Sequence, residues 1–203
     1  DYHLFLCNSG AEANENALKM ASFHTGKSKV IAFKNAFHGR TSAAVATTDN
    51  PKINAPINQQ QAVTFLALND FDALEKELQS GNYCSVILEA IQGVGGLDEP
   101  STEFYQFIAQ KCKKYGVVFI ADEVQSGFGR SGKFFAFQHH GITPDIISIA
   151  KGMGNGFPVG GILIHESIQA SYGLLGTTFG GNHLACAATL AVLEVLEKEN
   201  LVE

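Results

Sequence analysis

The sequence predicts an α/β protein built on a mostly parallel sheet with helices on both faces. Three observations carry that expectation. Runs rich in valine and isoleucine, such as "CSVILEAI", "VVFIADEV" and "DIISIAK", lack the alternation of a half-exposed strand, so both of their faces must be covered. Helical patterns separate the runs, which is how parallel strands are joined. The polar residues of chemical interest fall just after the strands, where open parallel sheets bind their ligands.

Taken in order, "HLFLCN" reads as a strand and "AEANENALKMASFHTG" as a helix ending near Gly26. "KVIAFKN" is a strand, and "DNPKINAPINQQQ", Asp49 to Gln61, is the most loop-like stretch, a surface or functional excursion. "DFDALEKELQ" is a helix and "CSVILEAI" a strand. "TEFYQFIAQKCKKYG" is an amphipathic helix stopped at Gly116. "VVFIADEV", "DIISIAK" and "VGGILIH" are strands. The final helix starts near His183, with Ala, Leu and Val on its inner face.

Composition removes several classes. The 203 residues are enough for one sizeable core, and the net charge of -6 is spread along the chain. No basic stripe suits nucleic acid and no Lys/Arg cluster suits an anionic membrane surface. No apolar run approaches the roughly 20 residues that span a bilayer. Cys7, Cys84, Cys112 and Cys186 form no CxxC pair and read as buried free thiols, which fits a reducing, cytoplasmic setting. The seven histidines lack ligand spacing, since neighbours such as His139 and His140 diverge on helix or strand, so no metal site is expected.

The chain opens without Met in a strand-like segment and ends in the helix-like "AATLAVLEVLEKENLVE". It reads as a piece of a longer protein.

At the strand ends, "CNSGAEANE" passes from strand to helix. The first-turn amides of Gly10 and Ala11, with Ser9 beside them, suit a phosphate. Ser9 with Glu12 is also a capping box, which alone accounts for both residues. In "AFHGRTSAA", Phe37 is either core or a face for a flat heteroaromatic ring. Arg40 is either a surface charge or a planar fork for a carboxylate. Asp122 and Glu123 leave an apolar strand, so at least one carboxylate is buried and paired. A buried carboxylate there would hold a proton on a ring nitrogen, and Gln125 would reach a ring substituent. Lys151 ends the apolar "DIISIAK" and enters a glycine-rich loop. A lone lysine at a strand end is ordinarily solvated; desolvated in an apolar site, it becomes a nucleophile. The glycines after it read as clearance for a ligand. Lysine, aspartate, aromatic ring and helix-terminal anion site together describe a pyridoxal phosphate pocket.

The motifs "CNSGAEANENALKMA", "FHGRT", "IQGVGG", "ADEVQSGFGRSG", "AKGMGNGFPVGG" and "GTTFGGNHLACAA" follow one another over nearly the whole chain. In this order they resemble the class III (subgroup II) pyridoxal-phosphate-dependent aminotransferases, nearest to the acetylornithine, succinylornithine and ornithine members. The resemblance implies the type I fold, with residues 1–203 as the cofactor-binding large domain. It also implies that the N-terminal segment and the C-terminal small domain lie outside the sequence. It implies pyridoxal 5′-phosphate, an amino donor, 2-oxoglutarate as acceptor, and a homodimer with shared active sites.

Residue by residue, it implies Lys151 as the internal aldimine lysine and Asp122 as partner of the pyridine nitrogen. Gln125 meets the ring hydroxyl oxygen, Phe37 stacks on the ring, and Ser9, Gly10 and Ala11 bind the phosphate. Arg40 takes a substrate carboxylate, Thr178 reaches the neighbouring subunit's cofactor phosphate, and Thr177 lies close to substrate. Two positions depart from the family pattern. Val94 stands where "QGEGG" has glutamate, which leaves the donor open, and His183 stands where a proline follows "GGN".

The expected activity is transfer of the terminal amine of an N-acylornithine in arginine or ornithine metabolism. Alternatives are an ornithine or 4-aminobutyrate aminotransferase and a glutamate-semialdehyde-type aminomutase. A further class is a cofactor-binding fragment without turnover, and the isolated 203 residues are expected to be inactive or nearly so. A nucleotide-binding domain lacks its GxGxxG after a strand.

Overall fold

The computed structural model describes residues 1–169 and 171–202. Among these residues seven strands form one sheet: β1 Tyr2–Cys7, β2 Lys29–Phe33, β3 Val63–Leu66, β4 Tyr83–Glu89, β5 Val118–Asp122, β6 Ile146–Ala150 and β7 Gly160–His165. Their order is β1-β7-β6-β5-β4-β2-β3, and only the pairings of β7 with β1 and β6 are antiparallel. The helices are α1 Gly10–Thr25, α2 Ser42–Ala46, α3 Phe71–Gln79, α4 Thr102–Tyr115 and α5 His183–Lys198. All strands but β7 therefore deliver their carboxyl ends to one edge.

The continuous apolar runs do cover both faces. Along β5, Phe119 and Ala121 enter the core beneath α3 and α4 with Phe104, Ile108, Leu74 and Leu78. Val118 and Ile120 enter the opposite core with Ala13, Ala17, Leu18 and Ala21 of α1. The small residues of α1 let that helix lie close to the sheet. The two-residue period of the strand then puts Asp122, after Val118 and Ile120, on the α1 face.

The two predicted glycine stops hold. Gly26 ends α1 at φ 68° and Gly116 ends α4 at φ 63°, both left-handed caps that cost glycine nothing. The chain from Asp49 to Gln61 is loop apart from a 3₁₀ turn at Pro56–Asn58. His183 is the first residue of α5, capped by the Asn182 side chain, a position where proline is also favoured.

Other expectations are corrected. α5 has only Ala185 buried, while Leu184, Leu190, Leu193 and Val195 are exposed, because the helix meets the rest of the chain mainly at the turn after β6. Cys7, Cys84 and Cys112 are buried free thiols, but Cys186 is only half-buried. Among the described residues no helix is long and apolar enough to cross a membrane.

Candidate active site

The carboxyl-edge residues converge on a cavity of about 240 Å³ lined by Gly10, Ala11, Asn14, Phe37, His38, Gly39, Arg40, Glu89, Asp122, Val124, Gln125 and Lys151. Five elements or their following loops contribute to it. A larger recess of about 560 Å³ opens elsewhere, beside Cys112, Asp145 and His165. Its carboxylate, Asp145, is committed to the Phe119 amide at 2.8 Å.

Asp122 is buried, and both of its oxygens are held. Oδ1 accepts from the Val124 amide at 3.0 Å, and Oδ2 accepts from Asn14 Nδ2 at 2.7 Å. His38 Nδ1 lies 2.7 Å from Oδ2 and must be the donor, since a carboxylate has no proton to give. Burial works against the His38 imidazolium. The Asp122 hydrogen bond and the charges of Asp122 and Glu89 outweigh it and hold the imidazole pKa above the ordinary histidine value. Burial also pushes the Glu89 carboxyl up to about 7, with His38 opposing and Asp122 adding to the shift. Glu89 accepts from the Phe37 amide at 2.9 Å, fixing the loop that carries the aromatic ring.

Glu123, beside Asp122, is buried as well. It accepts from Ser126 Oγ, the Ala136 amide and the Phe137 amide at 2.7, 3.0 and 2.9 Å, and it does not line the cavity.

Lys151 follows β6 with φ 46°, a left-handed conformation rare outside glycine and common at functional positions. Its side chain is exposed. The desolvation expected from sequence is therefore not supplied by these residues alone.

The glycines after it are also reassigned. A Cβ at Gly154 would meet Phe157 O at 2.2 Å, and one at Gly160 would meet Ser9 O at 2.7 Å. They serve close backbone packing, while Gly156 alone in this group faces open space at positive φ.

At the start of α1, Ser9 Oγ accepts from the Glu12 amide at 3.2 Å, so the capping role is real. The Glu12 carboxylate reaches back to the Asn8 amide at 3.0 Å instead of closing the box on Ser9. First-turn amides of a helix have no acceptor within it, which leaves those of Gly10 and Ala11 for an anion. Gly10 itself has a packing reason: a Cβ there would stand 2.5 Å from Val124 Cγ1.

Phe37 is half-buried and Arg40 exposed at the mouth. Thr177 and Thr178 are exposed and do not line the cavity; Thr177 Oγ1 instead bonds Asn8 Nδ2 at 3.2 Å. Val94 is exposed on the loop after β4 and is also outside the cavity. Two residues missed in the sequence, Asn14 and His38, hold Asp122. Their signal was a lone polar residue on an alanine-rich helix face and a histidine beside Phe37.

A flat ring with a phosphate arm fits this set: an aromatic face, a buried carboxylate, free helix-terminal amides and one lysine. Residues 1–203 match the family described as Aminotransferase class-III. The chain belongs to the class-III aminotransferase family.

Among relatives in that family, an acetylornithine aminotransferase of Bacillus subtilis is 43% identical over 98% of this chain and 53% of its own length. One of Archaeoglobus fulgidus is 45% identical over 98% and 54%. The ornithine aminotransferase of Toxoplasma gondii, described with partial occupancy of PLP at its active site, superposes with a TM-score of 0.91. It is 31% identical over 99% of this chain and 51% of that one. This chain thus spans about half the length of the class-III relatives it matches.

Proposed function

We propose that the protein transfers the terminal amine of an N-acylornithine, acetyl or succinyl, to 2-oxoglutarate with pyridoxal 5′-phosphate as cofactor. The observation that carries this reading is the placement of Lys151 and Asp122 on one cavity with Phe37, Gln125 and the α1 start. When bound, the cofactor supplies an aldehyde for the amine and an electron sink for the carbanion.

The chain's residues do the rest. Lys151 Nζ would be the attachment point for that aldehyde and the general base that takes and returns the proton at the substrate carbon. Asp122 would hold a proton on the pyridine nitrogen and act as its preorganised counterion. Phe37 would face the ring and Gln125 its hydroxyl oxygen; both line the cavity. Gly10, Ala11 and Ser9 hold the phosphate. Arg40 forks a substrate carboxylate at the cavity mouth.

The exposure of Thr177 and Thr178 away from their own cavity supports a homodimer. In it Thr178 serves the neighbouring subunit's phosphate and Thr177 lies close to substrate. Four free thiols support a reducing, cytoplasmic setting. Residues 1–203 act as the large domain of this assembly.

Identity of 41% or more to several acetylornithine aminotransferases supports an acylated donor. Val94, which supplies no carboxylate on the loop after β4, leaves the donor open, so ornithine or 4-aminobutyrate remains the second reading. Assaying the full-length protein with N-acetylornithine, N-succinylornithine, ornithine and 4-aminobutyrate tests the choice. Preference for the acylated donors supports it and preference for a free ω-amino acid overturns it. Nitrogen passed to an external keto acid excludes an aminomutase.

A further inference from the structure

We infer that Asn14 is a positioning residue that aims the Asp122 carboxylate into the cavity. This rests on the pyridoxal phosphate reading of the site.

Asn14 is 1% exposed, one turn into α1, between Ala13 and Ala17 on a face otherwise made of small and apolar residues. A polar side chain costs stability there unless every polar atom is matched. Here each is. One Nδ2–H donates to Asp122 Oδ2 at 2.7 Å and the other to the His38 carbonyl at 2.7 Å; Oδ1 accepts from Ser148 Oγ at 2.5 Å.

The amide can sit only one way round. Its nitrogen faces a carboxylate and a carbonyl, both acceptors, so the flipped amide would set three acceptors against one another. Asp122 and Ser148 are paired across β5 and β6, and the strand period turns both toward α1. Asn14 thus joins four pieces of the site: the β5 carboxylate, the β6 strand that ends at Lys151, the loop bearing Phe37, and the helix whose first turn offers the Gly10 and Ala11 amides.

Two consequences separate positioning from mere packing. Hydrogen bonding to Asp122 Oδ2 from Asn14 and His38 leaves the remaining acceptor directions of the carboxylate fixed in space. Tying His38 O to the same amide fixes the Phe37 loop relative to Asp122. A change at residue 14 should therefore alter how the ring is held and protonated, not only how firmly α1 docks.

The experiment uses the full-length protein and pyridoxal 5′-phosphate as probe. Asn14→Leu keeps the branching and heavy-atom count of the side chain and removes all three hydrogen bonds. The expected results are a dissociation constant about ten-fold weaker, the effect of one lost bond to a charged group. The pH midpoint of the bound cofactor's visible absorption should move by about one unit.

Ser148→Ala, which leaves Asn14 in place but frees its amide, should act in the same direction by about two- to three-fold, and it decides the matter if Asn14→Leu does not fold. Wild-type affinity and an unmoved pH midpoint in a folded variant overturn the role of Asn14. Absence of pyridoxal phosphate binding by the wild-type protein instead overturns the reading of the site.

Discussion

Asp122 and Glu123 are neighbours at the end of β5, yet their carboxylates have separate tasks. Asp122 faces the cavity with His38 and Asn14, while Glu123 accepts from the Ala136 and Phe137 amides and never reaches it. The two are expected to fail differently. Asp122→Asn should still bind cofactor but lose turnover by roughly 10²- to 10³-fold, as when a preorganised electrostatic group is removed. Glu123→Gln should cost about 2 kcal/mol of stability through weakened buried hydrogen bonds and leave the turnover of the folded fraction near wild type. Denaturant titration beside steady-state kinetics checks both.

Gly10 is constrained by Val124. A methyl at residue 10 would meet Val124 Cγ1 at 2.5 Å, so Gly10→Ala should destabilise the protein by about 1–3 kcal/mol. Val124→Ala in the same chain should recover much of that loss, a coupling readable as a double-mutant cycle. Strict additivity would place the constraint elsewhere.

Glu89 gives stability a pH dependence of definite sign. Its folded pKa of about 7 stands above the usual 4.5, so the folded state binds the extra proton. That contribution is fully present below about pH 4.5 and is lost as the pH rises through 7. Burial of Glu123 and Asp145 and the pairing of His38 act in the same sense, since all three pKa values are raised. Unfolding of the cofactor-free protein at pH 5 and pH 8 should show Glu89→Gln removing on the order of 2 kcal/mol of the difference.

Arg40 should act on substrate more than on chemistry. Arg40→Ala is expected to raise KM for the carboxylate substrates by roughly 10- to 100-fold with a smaller change in kcat. Lysine at the same position should restore little, because it lacks the planar fork. A fall in kcat at unchanged KM would remove Arg40 from the substrate site.

Much of the fold was legible because the sheet is buried on both faces. Runs such as "VILEAI" and "FIADEV" have no polar face, and Gly26 and Gly116 marked their helix ends. β3 and α2 were not legible: four residues of "VTFL" and five of "SAAVA" are too short to show a period. The inner face expected for α5 failed because periodicity reports an apolar stripe, not whether anything in the chain covers it. At the site, strand-end position marked Lys151, Asp122, Phe37 and Arg40, all of which line the cavity. The bond from Asn14 to Asp122 stayed hidden, since a pair 108 residues apart shows locally only as a lone polar residue on an alanine-rich helix face.

The central claim is that Lys151 carries the cofactor. Incubating the full-length protein with pyridoxal 5′-phosphate, reducing with borohydride and mapping peptides by mass spectrometry tests it most directly. The account predicts a single phosphopyridoxyl group on the Lys151 peptide, lost in Lys151→Ala together with turnover. Labelling at another lysine, or a Lys151→Ala protein that keeps both label and turnover, would contradict it.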